Sequence, residues 1–200
     1  MLKRARVMFL AVALAACGTN TMIKPAAEQT IPRPAAGKAQ IVFLRPSNYF
    51  PEMASLLYEI GGDKETFIAP IGGMNKVVYD VAPGQRLFMS NNGVMAHFLK
   101  ADLQAGKRYY VLVRPIHGYG FQLRPLRKDG TTDYNTSVRE FPVWLAGTTR
   151  VEASDSAAAT INRAQSGFDK TKAAGWAEFQ AKSASQLSEL TMTQADGFDL

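Results

Sequence analysis

Lys76-Val77-Val78-Tyr79-Asp80-Val81-Ala82-Pro83-Gly84 is the stretch that decides the fold. A run of β-branched and aromatic residues too short for a helix ends on Pro-Gly. The fixed φ of proline and the free φ of glycine fit the two central positions of a type II turn, so the run reads as one strand with a sharp exit. The same grammar continues downstream. Asn92-Gly93 suits a two-residue type I′ hairpin, which pairs Ser90 with Met95 and Phe88 with His97. That register puts Leu87, Met89, Ala96 and Phe98 on one face and Phe88, Met95 and Leu99 on the other. Both faces are apolar, so something must cover the second. Gly106-Lys107 opens a strand at Arg108-Tyr109-Tyr110-Val111-Leu112-Val113-Arg114, and Phe121-Gln122-Leu123-Arg124 follows the Gly118-Tyr119-Gly120 turn. Upstream, Ile41-Val42-Phe43-Leu44 is another short apolar run. Without βαβ alternation or an internal repeat, residues 39–127 are expected to form a small antiparallel β-sandwich.

Composition narrows the chemistry. The chain has 200 residues, room for one domain of about 100–150 residues with appendages. Its one cysteine, Cys17, excludes an internal disulfide and a thiolate zinc site. The 2 histidines, His97 and His117, lack metal-motif spacing, so neither metal nor cofactor is expected. The formal charge is +6. Removing the three basic side chains of residues 1–16 from 23 leaves 20 against 17 acidic ones, a balance of +3 and no nucleic-acid footprint.

Those sixteen residues form an address. Lys3, Arg4 and Arg6 precede ten apolar residues, VMFLAVALAA, too few for a bilayer span of about 20 but suited to a signal peptide. Leu14-Ala15-Ala16-Cys17-Gly18 follows, and this resembles the lipobox of bacterial lipoproteins. The resemblance implies cleavage before Cys17, a diacylglycerol on its thiol and an acyl chain, such as palmitate, on its amine. Gly18, where an Asp would retain the protein at the inner membrane, implies the outer membrane, with the protein facing the periplasm. Residues 17–38 then read as a lipidated cysteine and a proline-rich tether. The 21 residues after the cysteine could stretch to about 70 Å, or average roughly 25 Å as a coil.

A second likeness lies in the strands. Arg45-Pro46, the run from Val77 to Val81-Ala82-Pro83-Gly84, and Leu103-Gln104-Ala105-Gly106-Lys107-Arg108-Tyr109-Tyr110-Val111 occur in that order. The series resembles a domain family of unknown function found in bacterial lipoproteins and periplasmic proteins, which implies a small β-sandwich and brings no catalytic residues.

Beyond a connecting segment at 128–152, residues 153–190 are alanine-rich, with Ile161, Phe168, Trp176, Phe179, Leu187 and Leu190 at helical spacing. Ser154 or Asp155 could cap the start, and Gly167 and Gly175 suggest a break. The fold class is thus mainly β: an antiparallel sandwich followed by an amphipathic α-helical extension, which docks on its own β domain, with Phe88, Met95 and Leu99 as one landing face, or else binds another protein. Residues 191–200 read as a loose tail.

Candidate contacts are few. His117 and Tyr119 lie in a turn, where function concentrates. Lys107, Arg108, Arg114, Arg124, Arg127 and Lys128 share a stretch without any acid, and such a stripe could meet lipid phosphates or wall carboxylates. Trp176 and Phe179 are the aromatic contacts of the helix. The expected function is a lipid-anchored, non-catalytic binding or structural accessory of the cell envelope, working through protein–protein contacts. The alternatives are a binding module for cell-wall or lipid headgroups, and a hydrolase centred on His117.

Overall fold

The structure is a computed structural model that describes residues 21–51, 53–61, 64–118 and 120–200. In chain order the strands are β1 (Ile23–Pro25), β2 (Ala39–Arg45), β3 (Ser55–Gly61), β4 (Lys64–Ile71), β5 (Asn75–Val81), β6 (Gly84–Asn91), β7 (Ala96–Leu103), β8 (Lys107–Ile116) and β9 (Gly120–Pro125). Then come α1 (Glu140–Gly147), β10 (Thr149–Ala153), α2 (Ala157–Gln180), α3 (Ala184–Glu189), β11 (Thr191–Met192) and β12 (Phe198–Asp199), with a 3-10 turn at Gln194–Asp196. The protein is mainly β and has two mixed sheets. One runs β1-β10-β5-β2-β8-β12, with β9 also on β8, and the other runs β11-β7-β6-β3-β4.

The sheets are not purely antiparallel as expected. β2 lies antiparallel to β5 but parallel to β8, and the pairs β10–β5 and β11–β7 are parallel too. Parallel neighbours need a long crossover. Here the opposite sheet supplies it, because the chain leaves β2 for β3 and β4, returns at β5, leaves again for β6 and β7, and returns at β8.

Three cores follow. Ile41, Phe43, Val77, Phe88, Leu99, Tyr109, Val111, Phe121 and Leu123 belong to the cluster shared by both sheets. Val42, Leu44, Tyr110 and Leu112 point the other way and are covered by Phe141, Trp144 and Leu145 of α1. Strands covered on both faces read as continuous apolar runs, which is why all of β2 is buried. Met89, Ala96 and Phe98, on the outer face of the second sheet, meet Ile161 and Phe179 of α2.

The helix therefore docks on the domain, but on the opposite face from the one expected. Phe88 and Leu99 are in the core between the sheets, and Leu87, Met89, Ala96 and Phe98 receive the helix. Register also differs: Ser90 faces His97 and Phe88 faces Leu99. The loop at 92–95 has four residues, with the Asn92 side chain accepting from the backbone N–H of Val94 and Met95. A two-residue slip keeps every side chain on its expected face. The expected type II turn matches a φ of +94° at Gly84. No side chain caps α2 at Ser156, and α2 runs unbroken through Gly167 and Gly175.

Both chain ends differ from their readings. Residues 21–38, expected as a free tether, lie along the first sheet. β1 pairs with β10, Ala26 is buried, and Pro32 accepts from Arg108 at 2.6 Å. Residues 191–200, expected as loose, form a clasp: β11 closes the edge of β7, Met192 enters the shared core, and β12 pairs with β8. The segment at 128–152 is itself structured, since it supplies α1 and most of β10.

Candidate functional site

The basic side chains of the stripe are bonded within the chain. Arg124 donates to Glu189 at 2.6 Å and to Gln122 at 2.7 Å. Arg127 donates to Asp196 at 2.7 Å and to the Ser188 carbonyl at 2.6 Å. Lys107 pairs with Asp199 at 3.8 Å, and Lys128 donates to the Gly197 carbonyl at 3.4 Å. Arg108 bonds Gln40 and Pro32. Arg114 donates to the Tyr134 hydroxyl, and the guanidinium carbons of Arg114 and Arg124 lie 5.6 and 5.1 Å from the Tyr134 ring centroid. Acids missing from the stripe's own stretch thus arrive from the last twelve residues, and Lys107, Arg124, Arg127 and Lys128 hold the C-terminal clasp.

Of the helix aromatics, Phe179 is 3% exposed and packs on Phe98 at 5.8 Å, so it is a core residue and not a contact. Trp176 stacks on Phe179 at 5.6 Å and is half-buried. It lines a groove of about 580 Å³ together with Ile60, Leu87 and Ala101 and the charged residues Arg86, Lys100 and Asp102. Two of those charges are already matched. Arg86 faces Glu59 at 3.8 Å, and Asp102 accepts from Gln194 at 3.1 Å. The exposed Lys100 ammonium lies 5.8 Å from the Phe179 ring and has no carboxylate partner among the described residues. Sequence reasoning found Trp176 but not Lys100, because the groove joins β3, β6, β7 and α2 and no local spacing announces that meeting.

At the opposite end of the second sheet, His117 is exposed beside the segment that joins β2 to β3. Its Nδ1 lies 3.4 Å from the Tyr49 hydroxyl, and its ring is stacked 6.5 Å from Phe50. Met53 and Val94 complete an apolar rim, with Tyr49, Phe50, Met53 and Val94 at 51%, 41%, 43% and 67% exposure. The neighbours of His117 are aromatic, an arrangement suited to contact.

Arg45 supports this end from below. Fully buried, it donates to the carbonyls of Tyr49 (2.9 Å), Phe50 (2.7 Å), Met53 and Ile71 (3.2 Å), and its guanidinium lies 4.2 Å from the Phe121 ring centroid. Burial lowers its pKa to about 10, so it remains a cation at neutral pH. The only sequence signal for this clamp is a basic residue closing an otherwise apolar strand. Cys17 and Tyr119 lie outside the described residues.

No family model, no curated protein and no solved structure matches this chain. The likeness to the lipoprotein domain family therefore rests on the quoted residues alone.

Proposed function

We propose that this chain is a lipid-anchored protein of the bacterial cell envelope, held in the outer membrane by an acylated Cys17, facing the periplasm and acting without catalysis through protein–protein contacts. Within it we read the two sheets as the layers of a β-sandwich and α2 with α3 as its amphipathic extension. Support for the anchor comes from the charge, apolar run and lipobox of residues 1–18.

The observation that carries the contact role is the groove beside Trp176. It combines a half-buried indole, the apolar Ile60 and Leu87, and the Lys100 ammonium, which has no carboxylate partner among the described residues. Such a set suits a partner segment that presents an apolar side chain next to a carboxylate. The basic side chains of the stripe are already bonded within the chain, which favours the groove over the ligand-module alternative.

The test is a photocrosslinking residue placed at Lys100 in living cells, with a second placement at Val143, which is exposed on α1. One protein trapped from position 100 alone, and lost in Trp176→Ala, is the expected result. Identical products from both positions would remove the groove from the argument. The anchor has its own check: Cys17→Ser should abolish processing and membrane retention, and unchanged behaviour would show that it is wrong.

A further inference from the structure

We propose that the end of the molecule displaying Tyr49, Phe50, Met53 and Val94 rests on the lipid bilayer, with these side chains entering the boundary between headgroups and acyl chains. This rests on the reading of Cys17 as lipidated. Four apolar or aromatic side chains stand in water within one loop cluster, which single scattered exposures do not explain. They are also held there. Phe50 has a φ of +53°, a costly conformation for a bulky residue, and its carbonyl is gripped by Arg45. The clamp holds the ring at the surface, 41% exposed beside the rings of Tyr49 and His117.

The path of the chain selects the occupant. A Cβ at Gly72 would lie 3.2 Å from Ile23 Cδ1 and 3.7 Å from the Pro51 carbonyl oxygen, so β1 passes within a side chain's breadth of the segment that carries the aromatics. The described chain starts two residues before Ile23, at Thr21, whose carbonyl is fastened by Ser154 and Ser156. Cys17 is four residues further back and at most about 14 Å away along the chain. Because residues 21–38 are spent along the sheet, the slack available to the anchor is those four residues and not twenty-one. Acyl chains on Cys17 would enter the membrane beside Tyr49 and Phe50. A tyrosine, a phenylalanine and a methionine are side chains that boundary accepts. An attached anchor also makes the contact intramolecular, so a weak insertion is well populated. The Trp176 groove, at the other end of β6 and β7, then points away from the membrane.

The experiment uses the full-length protein purified from membranes and reconstituted into protein-free vesicles of phosphatidylethanolamine and phosphatidylglycerol. An environment-sensitive fluorophore is placed on Met53→Cys and, separately, on Ala105→Cys in the exposed β7–β8 turn. The Met53→Cys probe should shift to the blue and lose intensity to brominated acyl chains, while the Ala105→Cys probe does neither. Tyr49→Asp with Phe50→Asp should abolish the shift without releasing the protein. If intact mass shows acylated Cys17 and the Met53→Cys probe still reports water, the orientation is overturned and the anchor stands. A response confined to native membranes, absent from protein-free vesicles, would assign the patch to a protein and also overturn it. If the mass shows no acyl group, both readings fall together.

Discussion

Arg127 and Asp196, 69 residues apart in sequence, form a salt bridge of 2.7 Å with both side chains shielded from water. The same carboxylate accepts from the backbone N–H and hydroxyl of Thr193, at 2.7 and 2.9 Å. All three bonds converge on one carboxylate oxygen, Oδ2, and removing either partner leaves the other charge buried. Such a loss costs about 3–5 kcal/mol. We expect Asp196→Ala and Arg127→Met each to lower urea stability by about that much, and the double variant to cost clearly less than both together. Additive losses below about 1 kcal/mol would mean the clasp is ornamental.

How much of this was legible in the sequence can be argued from three places. The Pro83-Gly84 turn was readable because its chemistry is local, and Gly84 has the positive φ it requires. The helical stripe from Ile161 to Leu190 was readable because period and amphipathicity are local too, and all six of its residues sit in one cluster. Its landing face was not, since an apolar residue on either face of a doubly covered strand looks the same. The partners of Arg124, Arg127 and Lys107 were not legible either. Their acids lie beyond residue 188, and only the closed fold brings them together.

Two glycines of α2 make opposite predictions. A Cβ at Gly175 would lie 2.2 Å from the Ala96 carbonyl oxygen, so the helix backbone lies directly against β7 and the missing side chain is what allows it. Among the described residues nothing lies within 4 Å of a Cβ at Gly167. Gly167→Ala should stabilise the protein by about 0.5–1 kcal/mol through helix propensity. Gly175→Ala should destabilise it by more than that gain, as α2 is forced off the sheet. Thermal unfolding of both reads the sign directly, and equal signs would contradict the close approach.

Arg45 should resist conservative replacement. Its fork reaches four carbonyls, and the single ammonium of lysine cannot satisfy them. Arg45→Lys should lower stability by about 2–4 kcal/mol, since buried acceptors lose a charged donor. The damage should concentrate in the segment between β2 and β3, with hydrogen exchange there accelerating before the rest of the sheet. Uniform acceleration would indicate that Arg45 stabilises the fold generally and does not clamp that segment.

Alkaline stability follows from three phenols. Burial, as the largest cause, raises the pKa of Tyr58, Tyr79 and Tyr109 above the usual 10.0. Tyr58 is pushed up further by the nearby Glu65 and Asp169 carboxylates, and Tyr79 by its 2.7 Å hydrogen bond to Glu59. A folded pKa above the unfolded one contributes stability that is fully present below pH 10 and disappears as pH rises through the folded values. Arg45, lowered to about 10, and Lys76, also lowered by burial, act in the opposite direction, two groups against three. The urea midpoint should therefore fall from pH 10 upward, and the absorbance change of these phenols should appear only with unfolding. Tyr79→Phe removes one of the three, so its midpoint should fall less steeply with pH than that of the parent. An unchanged slope in that variant would place the alkaline transition on some other group.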